Sequence, residues 1–135
     1  MRTITLLALC LFLAACGSDT GAPDVSAEST APAPRRPYGN LSPEEFAAKM
    51  DEGEVILLDV RTPREIAAGK IDGAVELDYN APDFADRLAE LDREPTYLVY
   101  CAAGGRSNKA CQLMAEEGFE RVYNLDGGFT AWQHR

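Results

Sequence analysis

Short apolar runs alternate with helix-starting motifs along most of this chain, and this alternation constrains the fold more than any other feature. Residues 55–60 and 96–100 are runs of strand length, and both are apolar enough for strands that are buried on both faces. Ser42-Pro43-Glu44-Glu45 and Thr62-Pro63-Arg64-Glu65 both have the pattern of a capping box with proline at the first helical position. Strands that alternate with helices predict an α/β fold, with a small parallel β-sheet and helices on both of its faces.

The same pattern predicts the remaining elements. The first capping box opens a helix that runs to about Met50, and the second opens a short helix that ends at Gly69. Gly118 follows a helical pattern and is placed to stop it. Further elements are predicted as a strand at 74–77, a helix at 82–91, a helix at 106–117, a strand at 121–124 and a last helical turn at 129–133.

A cysteine lies where the strand at 96–100 meets the helix that follows it. The loop reads Cys101-Ala102-Ala103-Gly104-Gly105-Arg106-Ser107, so only small residues separate the thiol from an arginine. Such a loop can curl around the sulfur and direct the unpaired N–H groups of a helix N-terminus at one point. Cys101 is therefore the candidate nucleophile. The residues of its candidate cradle are Ala102, Ala103, Gly104, Gly105 and Ser107.

The surroundings of Cys101 favour a thiolate at neutral pH. Helix N-termini and nearby cations lower the pKa of a cysteine thiol from about 8.5 to roughly 3.5–7.5. A cysteine that ends a buried strand is, taken alone, more often structural than reactive, but Arg106 in the first helical turn opposes the helix dipole unless an anion binds there. The only histidine, His134, is the penultimate residue, so activation is expected from backbone dipoles and Arg106 rather than from a Cys-His pair.

The loop resembles the active-site loop of rhodanese domains, which are sulfurtransferases. The resemblance extends from about residue 38 to the last residue, with two departures: Lys70 stands where the family usually has histidine, and Asp72 where it usually has proline. The other blocks that carry it are Leu58-Asp59-Val60-Arg61-Thr62-Pro63-Arg64-Glu65, Gly69-Lys70-Ile71-Asp72-Gly73-Ala74 and Val122-Tyr123-Asn124-Leu125-Asp126-Gly127-Gly128-Phe129-Thr130-Ala131-Trp132.

This resemblance implies a reaction and a role for each site residue. Cys101 would take a sulfane sulfur from a small donor such as thiosulfate, become a persulfide, and pass the sulfur to a thiol or cyanide acceptor. The loop N–H groups would stabilise both the thiolate and the persulfide. Arg106 would orient an anionic donor or balance the charge of the loop. We also predict that Asp59 and Arg64 form a supporting polar framework beside the loop, with direct catalysis as the alternative. No cofactor is expected.

Two other functions compete with sulfur transfer. Related folds use a cysteine loop to bind tetrahedral oxyanions, as in phosphatases and arsenate reductases, but their loops usually place one residue more between the cysteine and the arginine. The shorter loop here suits one sulfur better than a phosphoryl group. The other alternative is a module that carries a persulfide or senses redox state with little turnover.

The first residues have the pattern of an export signal. Arg2 precedes an apolar run at 4–15 that is too short to span a bilayer, and Leu13-Ala14-Ala15-Cys16 resembles a bacterial lipobox. The sequence therefore predicts a signal peptide at 1–15, a lipidated Cys16 with a flexible tether at 16–37, and a domain at 38–135. A plain secretory signal or an uncleaved anchor is the alternative. The predicted location is the cell envelope, with the lipid anchor holding the protein to a bacterial membrane that faces the periplasm or the exterior.

Charge and the remaining thiols limit the partners. The formal net charge is −9, which argues against nucleic acid as a partner. Cys111 lies about five residues into the helix that Cys101 precedes, too far along the axis for a disulfide, so it is predicted to be a buried core residue. No set of cysteines and histidines has the spacing of a metal site, so no metal is expected. The protein is expected to be a monomer.

Overall fold

The structure, a computed structural model, describes residues 38–135, which form a five-stranded sheet with helices packed on it. The strand order is β1-β5-β4-β2-β3 and every neighbouring pair is parallel, as the sequence predicts. In chain order the elements are β1 (Gly39–Leu41), α1 (Pro43–Met50), β2 (Val55–Asp59), α2 (Pro63–Ala67), β3 (Val75–Glu76), α3 (Phe84–Ala89), β4 (Thr96–Tyr100), α4 (Gly105–Glu116), β5 (Val122–Leu125) and α5 (Gly128–Gln133).

Both predicted capping boxes form. The side chain of Ser42 accepts a hydrogen bond from the N–H of Glu45, and the Glu45 carboxylate accepts one from the N–H of Ser42. Thr62 and Glu65 make the same reciprocal pair at the start of α2. These bonds satisfy N–H groups that have no partner inside the helix, and so they fix where each helix begins.

The core is divided by the sheet into two clusters, and β4 contributes to both. Tyr97 and Val99 pack on one face with residues of α3 and α4, whereas Leu98 and Tyr100 pack on the other face with Phe46 of α1 and, at its margin, residues of α5. This alternation follows from the two-residue period of a strand. Burial on both faces explains why β4 reads as a continuous apolar run.

The connections place the carboxyl ends of β2 and β4 side by side. The N–H of Val60 donates to the carbonyl of Tyr100 at 3.0 Å, so the residues that follow these two strands remain adjacent. Cys101 follows β4 and Asp59 ends β2. The predicted site residues of both strands therefore meet at one end of the sheet.

The observed elements differ from the predicted ones mainly at their ends. The strand β1 was not predicted; its three residues pair with β5 at the edge of the sheet and are too short to show a period in the sequence. Helix α4 begins one residue earlier than predicted, at Gly105. Within residues 38–135, no helix is long and apolar enough to cross a membrane. The predicted signal peptide, the lipidated Cys16 and the tether lie outside the described residues and stay predictions.

Candidate active site

The sulfur of Cys101 lies at the bottom of a loop whose donors point at it. The residue is only 2% exposed. Its Sγ accepts hydrogen bonds from the N–H of Gly104 at 3.1 Å and from Oγ of Ser107 at 3.4 Å. The N–H groups of Ala103 and Ser107 also help to lower the pKa of the Cys101 thiol. The structure therefore brings three of the five candidate cradle residues, Ala103, Gly104 and Ser107, to the sulfur of the candidate nucleophile.

These donors change the acidity of the thiol. Burial alone would raise the pKa of Cys101, because it removes water from the charged form. The hydrogen bond from the Ser107 hydroxyl and the N–H groups of Ser107, Ala103 and Gly104 outweigh burial, so the pKa lies below its ordinary value. The loop thus favours a thiolate in a nearly dry site without a histidine.

The first turn of α5 holds the loop in this curled form. The N–H of Phe129 donates to the carbonyl of Cys101 at 2.7 Å, and both the N–H and the hydroxyl of Thr130 donate to the carbonyl of Ala102 at 3.0 Å. These bonds direct the loop carbonyls towards α5, which leaves the N–H groups of the loop on the side of the sulfur. Gly104, at φ 95°, then turns the chain into α4 in a conformation that favours glycine.

Close approach between α5 and the loop requires glycine at position 128. Gly128 has φ 60°, and a Cβ atom there would lie 2.6 Å from the carbonyl oxygen of Cys101 and 2.7 Å from the carbonyl carbon of Ala102. Gly127-Gly128 is therefore part of the site, although it lies more than twenty residues further along the chain.

Arg106 is tied to a carboxylate. Its guanidinium donates to both oxygens of Glu65, at 2.9 and 2.6 Å, and Glu65 also accepts hydrogen bonds from the N–H and the hydroxyl of Thr62. The hydrogen bond from Arg106 is the main reason that the pKa of Glu65 falls to about 2. The pair links the start of α2 to the start of α4, so Arg106 has a structural partner that the sequence did not predict.

A buried ion pair lies at the same end of the sheet as the loop, and it corrects one prediction. Asp59 is fully buried and binds Arg61, whose Nε and Nη2 lie 3.0 and 2.7 Å from its oxygens. The Arg61 guanidinium also donates to the carbonyl of Gly69 and lies 4.2 Å from the centre of the Phe129 ring. Arg64, predicted to join Asp59, is instead exposed on α2, because the helix turns its side chain away from the sheet.

Sequence reasoning therefore missed three participants: Arg61, Glu65 as the partner of Arg106, and the first turn of α5. Arg61 belongs to the Asp-Val-Arg block and lies two residues beyond the end of β2, which keeps it near the sheet. This position is a sequence signal that favours Arg61 over Arg64 as the partner of Asp59. The other two depend on contacts between distant parts of the chain, at separations of 41 residues for Glu65 and Arg106 and 28 for Thr130 and Ala102.

The second thiol of the described chain has a different environment. Cys111 is fully buried in the cluster between the sheet and α4, as predicted, and burial raises its pKa. Both Cys101 and Cys111 are free thiols. Burial therefore keeps Cys111 a neutral core residue, whereas the donors of the loop lower the pKa of Cys101.

Comparison with known proteins agrees with this geometry. Residues 42–135 match the family described as Rhodanese-like domain. The chain is 38% identical to the thiosulfate sulfurtransferase GlpE of Pseudomonas entomophila over 96 residues, which cover 71% of this chain and 85% of that protein. It is 39% identical to the tRNA uridine(34) hydroxylase of Cytophaga hutchinsonii over 101 residues, which cover 73% of this chain but 32% of that protein.

A solved structure gives the same result for the fold. The crystal structure of a rhodanese-related protein from Thermoplasma volcanium aligns with a TM-score of 0.64 and 25% identity. The alignment covers 72% of this chain and 92% of that one. The described residues therefore have the fold of this relative over nearly its whole length.

Replacing Gly128 with alanine tests the contact between α5 and the loop. Gly128→Ala would place a methyl group against the backbone of Cys101 and Ala102 at a positive φ, so we expect a loss of about 2–3 kcal/mol in the free energy of unfolding. Gly105→Ala is the matched control, since a Cβ there meets nothing within 4 Å, and we expect it to be neutral or slightly stabilising. Urea unfolding measures both. Equal stability of the two variants would contradict the close approach.

The Arg106–Glu65 pair should make stability depend on pH in a defined window. Glu65 has a lower pKa in the folded chain, about 2 against an ordinary 4.5, so its contribution is complete above about 4.5 and is lost as the pH falls towards about 2. The Glu65 and Arg106 side chains are 34% and 26% exposed, and solvent screening reduces the expected contribution to about 1 kcal/mol. The difference in unfolding free energy between wild type and Glu65→Gln should therefore shrink across that window, as measured by urea unfolding at several pH values.

Glu45→Gln serves as the control for this experiment. Glu45 caps α1 in the same way, but in the described residues it forms no ion pair. Its substitution should change stability less than Glu65→Gln at neutral pH. An equal loss in both variants would show that Arg106 adds nothing to the capping box.

Proposed function

The chain belongs to the rhodanese-like family, and from that premise we propose that it is a sulfurtransferase that moves a sulfane sulfur through a persulfide on Cys101. The donor would be a small molecule such as thiosulfate, and the acceptor a thiol or cyanide. One observation carries the proposal: several backbone N–H groups and the Ser107 hydroxyl converge on a single buried sulfur and lower its pKa. Such a site stabilises negative charge on sulfur.

The first half-reaction follows from this charge. The Cys101 thiolate attacks the outer sulfur of the donor, a new S–S bond forms on Cys101, and the S–S bond of the donor breaks. The bonding electrons leave with the rest of the donor, which is sulfite when the donor is thiosulfate. The loop N–H groups then face the persulfide that replaces the thiolate.

The second half-reaction restores the enzyme. An acceptor attacks the outer sulfur of the persulfide and takes it, and Cys101 leaves as a thiolate. The same N–H groups stabilise this leaving group. No proton has to be moved at Cys101 in either step, which is consistent with a site in which no histidine lies near the sulfur; His134 is at the far end of α5.

Other functions have less support. The loop places four residues between Cys101 and Arg106. The Arg106 guanidinium binds Glu65 through both outer nitrogens, which leaves a phosphoryl group without a free guanidinium. Hydroxylation of tRNA is not proposed, because the chain spans about a third of the relative with that name. A persulfide carrier with little turnover stays the alternative, and loading without steady-state transfer would identify it.

Intact mass after incubation with a sulfane donor tests the proposal. Wild type and Cys111→Ala should gain the mass of one sulfur atom and release it to cyanide, whereas Cys101→Ser should gain none and lose transfer. Cys111→Ala is the matched thiol control, and the small cavity it leaves should cost about 1 kcal/mol of stability. Transfer by Cys101→Ser, or sulfur found on Cys111 in wild type, would overturn the assignment.

A further inference from the structure

The first turn of α4 supplies donors to the sulfur but has no side-chain cap of its own. Its N-cap residue is Gly104, which has no side chain, whereas α1 and α2 both begin with a capping box. A side-chain cap would accept a hydrogen bond from the second or third N–H of the helix, and the third belongs to Ser107 and acts on Cys101. The start of α4 must therefore be positioned by other contacts.

Two side-chain contacts hold this turn from opposite sides. Arg106 binds Glu65 at the start of α2, and Oδ1 of Asn108 accepts a hydrogen bond from the hydroxyl of Tyr38 at 2.8 Å. Successive residues are about 100° apart around a helix axis, so Arg106 and Asn108 point to nearly opposite sides of α4. The strand order agrees, since β2 and β1 lie on opposite sides of the β4–β5 pair.

The contact with Tyr38 acts directly beside the donors of the sulfur. Asn108 follows Ser107, whose hydroxyl donates to Sγ of Cys101 at 3.4 Å. The N–H of Asn108 donates to the carbonyl of Gly104 at 3.0 Å and so closes the first turn. The N–H of Gly104 donates to the same sulfur at 3.1 Å. Both of these donors therefore belong to the helical turn that Tyr38 contacts.

The edge segment that carries Tyr38 is itself fixed to β5. The Tyr38 ring packs against the core cluster between the sheet and α4. Asn40 accepts a hydrogen bond from Nδ2 of Asn124 at 3.0 Å, and the carbonyl of Leu41 accepts one from the N–H of Asp126 at 2.9 Å. The Tyr38 hydroxyl thus projects from a fixed support, and this support precedes the residues that match the rhodanese-like family.

We propose that Tyr38 is a positioning residue for the reaction at Cys101, a role that rests on the proposed function. Through Asn108, 70 residues further along the chain, it keeps the first turn of α4 where the Gly104 N–H and the Ser107 hydroxyl reach the sulfur. These donors stabilise the thiolate, the persulfide and the thiolate that leaves in the second half-reaction. Without the Tyr38 hydroxyl, the turn loses the contact on one of its two sides.

Three substitutions isolate this contact. Tyr38→Phe removes only a hydroxyl and changes no charge, and Asn108→Ala removes the acceptor of the same hydrogen bond. The double variant completes a double-mutant cycle. Tyr123→Phe is the matched control, because Tyr123 is also partly buried but lies on the opposite face of the sheet, and its hydroxyl has no hydrogen-bond partner among residues 38–135.

The measurements separate the ionisation of Cys101 from the stability of the fold. Each variant is made in a full chain that carries Cys10→Ser, Cys16→Ser and Cys111→Ala, so that Cys101 is the only thiol. The rate of alkylation by iodoacetamide against pH gives the apparent pKa of Cys101. The values of kcat and KM are measured with thiosulfate as donor and cyanide as acceptor, and urea unfolding gives the stability of each variant.

We expect Tyr38→Phe to lower kcat/KM for thiosulfate about two- to fivefold, an effect that part of one neutral hydrogen bond can supply. The apparent pKa of Cys101 should rise, because donors that move away from the sulfur no longer favour its thiolate. Asn108→Ala should have the same effects. The double variant should match either single variant, since both substitutions remove one hydrogen bond. Tyr123→Phe should change neither quantity.

The outcomes separate the two proposals. A merely structural Tyr38 would change the free energy of unfolding and leave the pKa of Cys101 in the folded protein unchanged, and that result would overturn its role while sulfur transfer stands. Additive effects of Tyr38→Phe and Asn108→Ala, or an equal effect of Tyr123→Phe, would overturn it too. If Tyr38→Phe does not fold, Asn108→Ala alone decides by the same pKa measurement.

A different result would strike the proposed function alone. If the pKa of Cys101 shifts as expected but no donor places sulfur on Cys101, sulfur transfer fails while the effect of Tyr38 on the donors of the loop stands.

Discussion

The hydrogen bonds from the first turn of α5 to the carbonyls of Cys101 and Ala102 determine the orientation of the loop. A peptide group has its N–H and its C=O on opposite sides, so carbonyls held by Phe129 and Thr130 leave the N–H groups on the side of the sulfur. Gly128 permits the approach, since no Cβ fits between the two backbones. The curl of the loop, which places the hydrogen-bond donors around Cys101, is held by this contact.

Burial disfavours ionisation of Cys101, and the hydrogen-bond donors of the loop outweigh this effect. A nearly dry sulfur is protected from side reactions, but desolvation disfavours its thiolate. Donors that belong to the backbone are already oriented by the fold, so they stabilise charge without reorganising. The arginine of the loop acts differently, because it ties the start of α4 to the start of α2 through Glu65.

Local signals predicted most of the fold and the position of the candidate nucleophile. The capping boxes and the apolar run before Cys101 each lie within a few residues, so each element can be predicted from its own stretch of sequence. Edge strand β1 was missed because its pairing with β5, not its own composition, makes it a strand. Arg64 was predicted in place of Arg61, although Arg61 lies only two residues beyond the end of β2 and Arg64 lies inside α2. The hydrogen bonds from α5 to the loop join segments that are far apart in the sequence, so only the tertiary structure reveals them.

The mechanism depends on a folded-state thiolate, and the ionisation of Cys101 is its most direct test. The alkylation rate of Cys101 by iodoacetamide can be followed against pH in Cys111→Ala, which has no other thiol among the described residues, both folded and unfolded in urea. Adding Cys10→Ser and Cys16→Ser to the same chain keeps the measurement to one sulfur. The mechanism predicts a lower apparent pKa in the folded protein than in the unfolded one. An equal or higher pKa in the folded protein would contradict it, because burial would then have outweighed the donors of the loop.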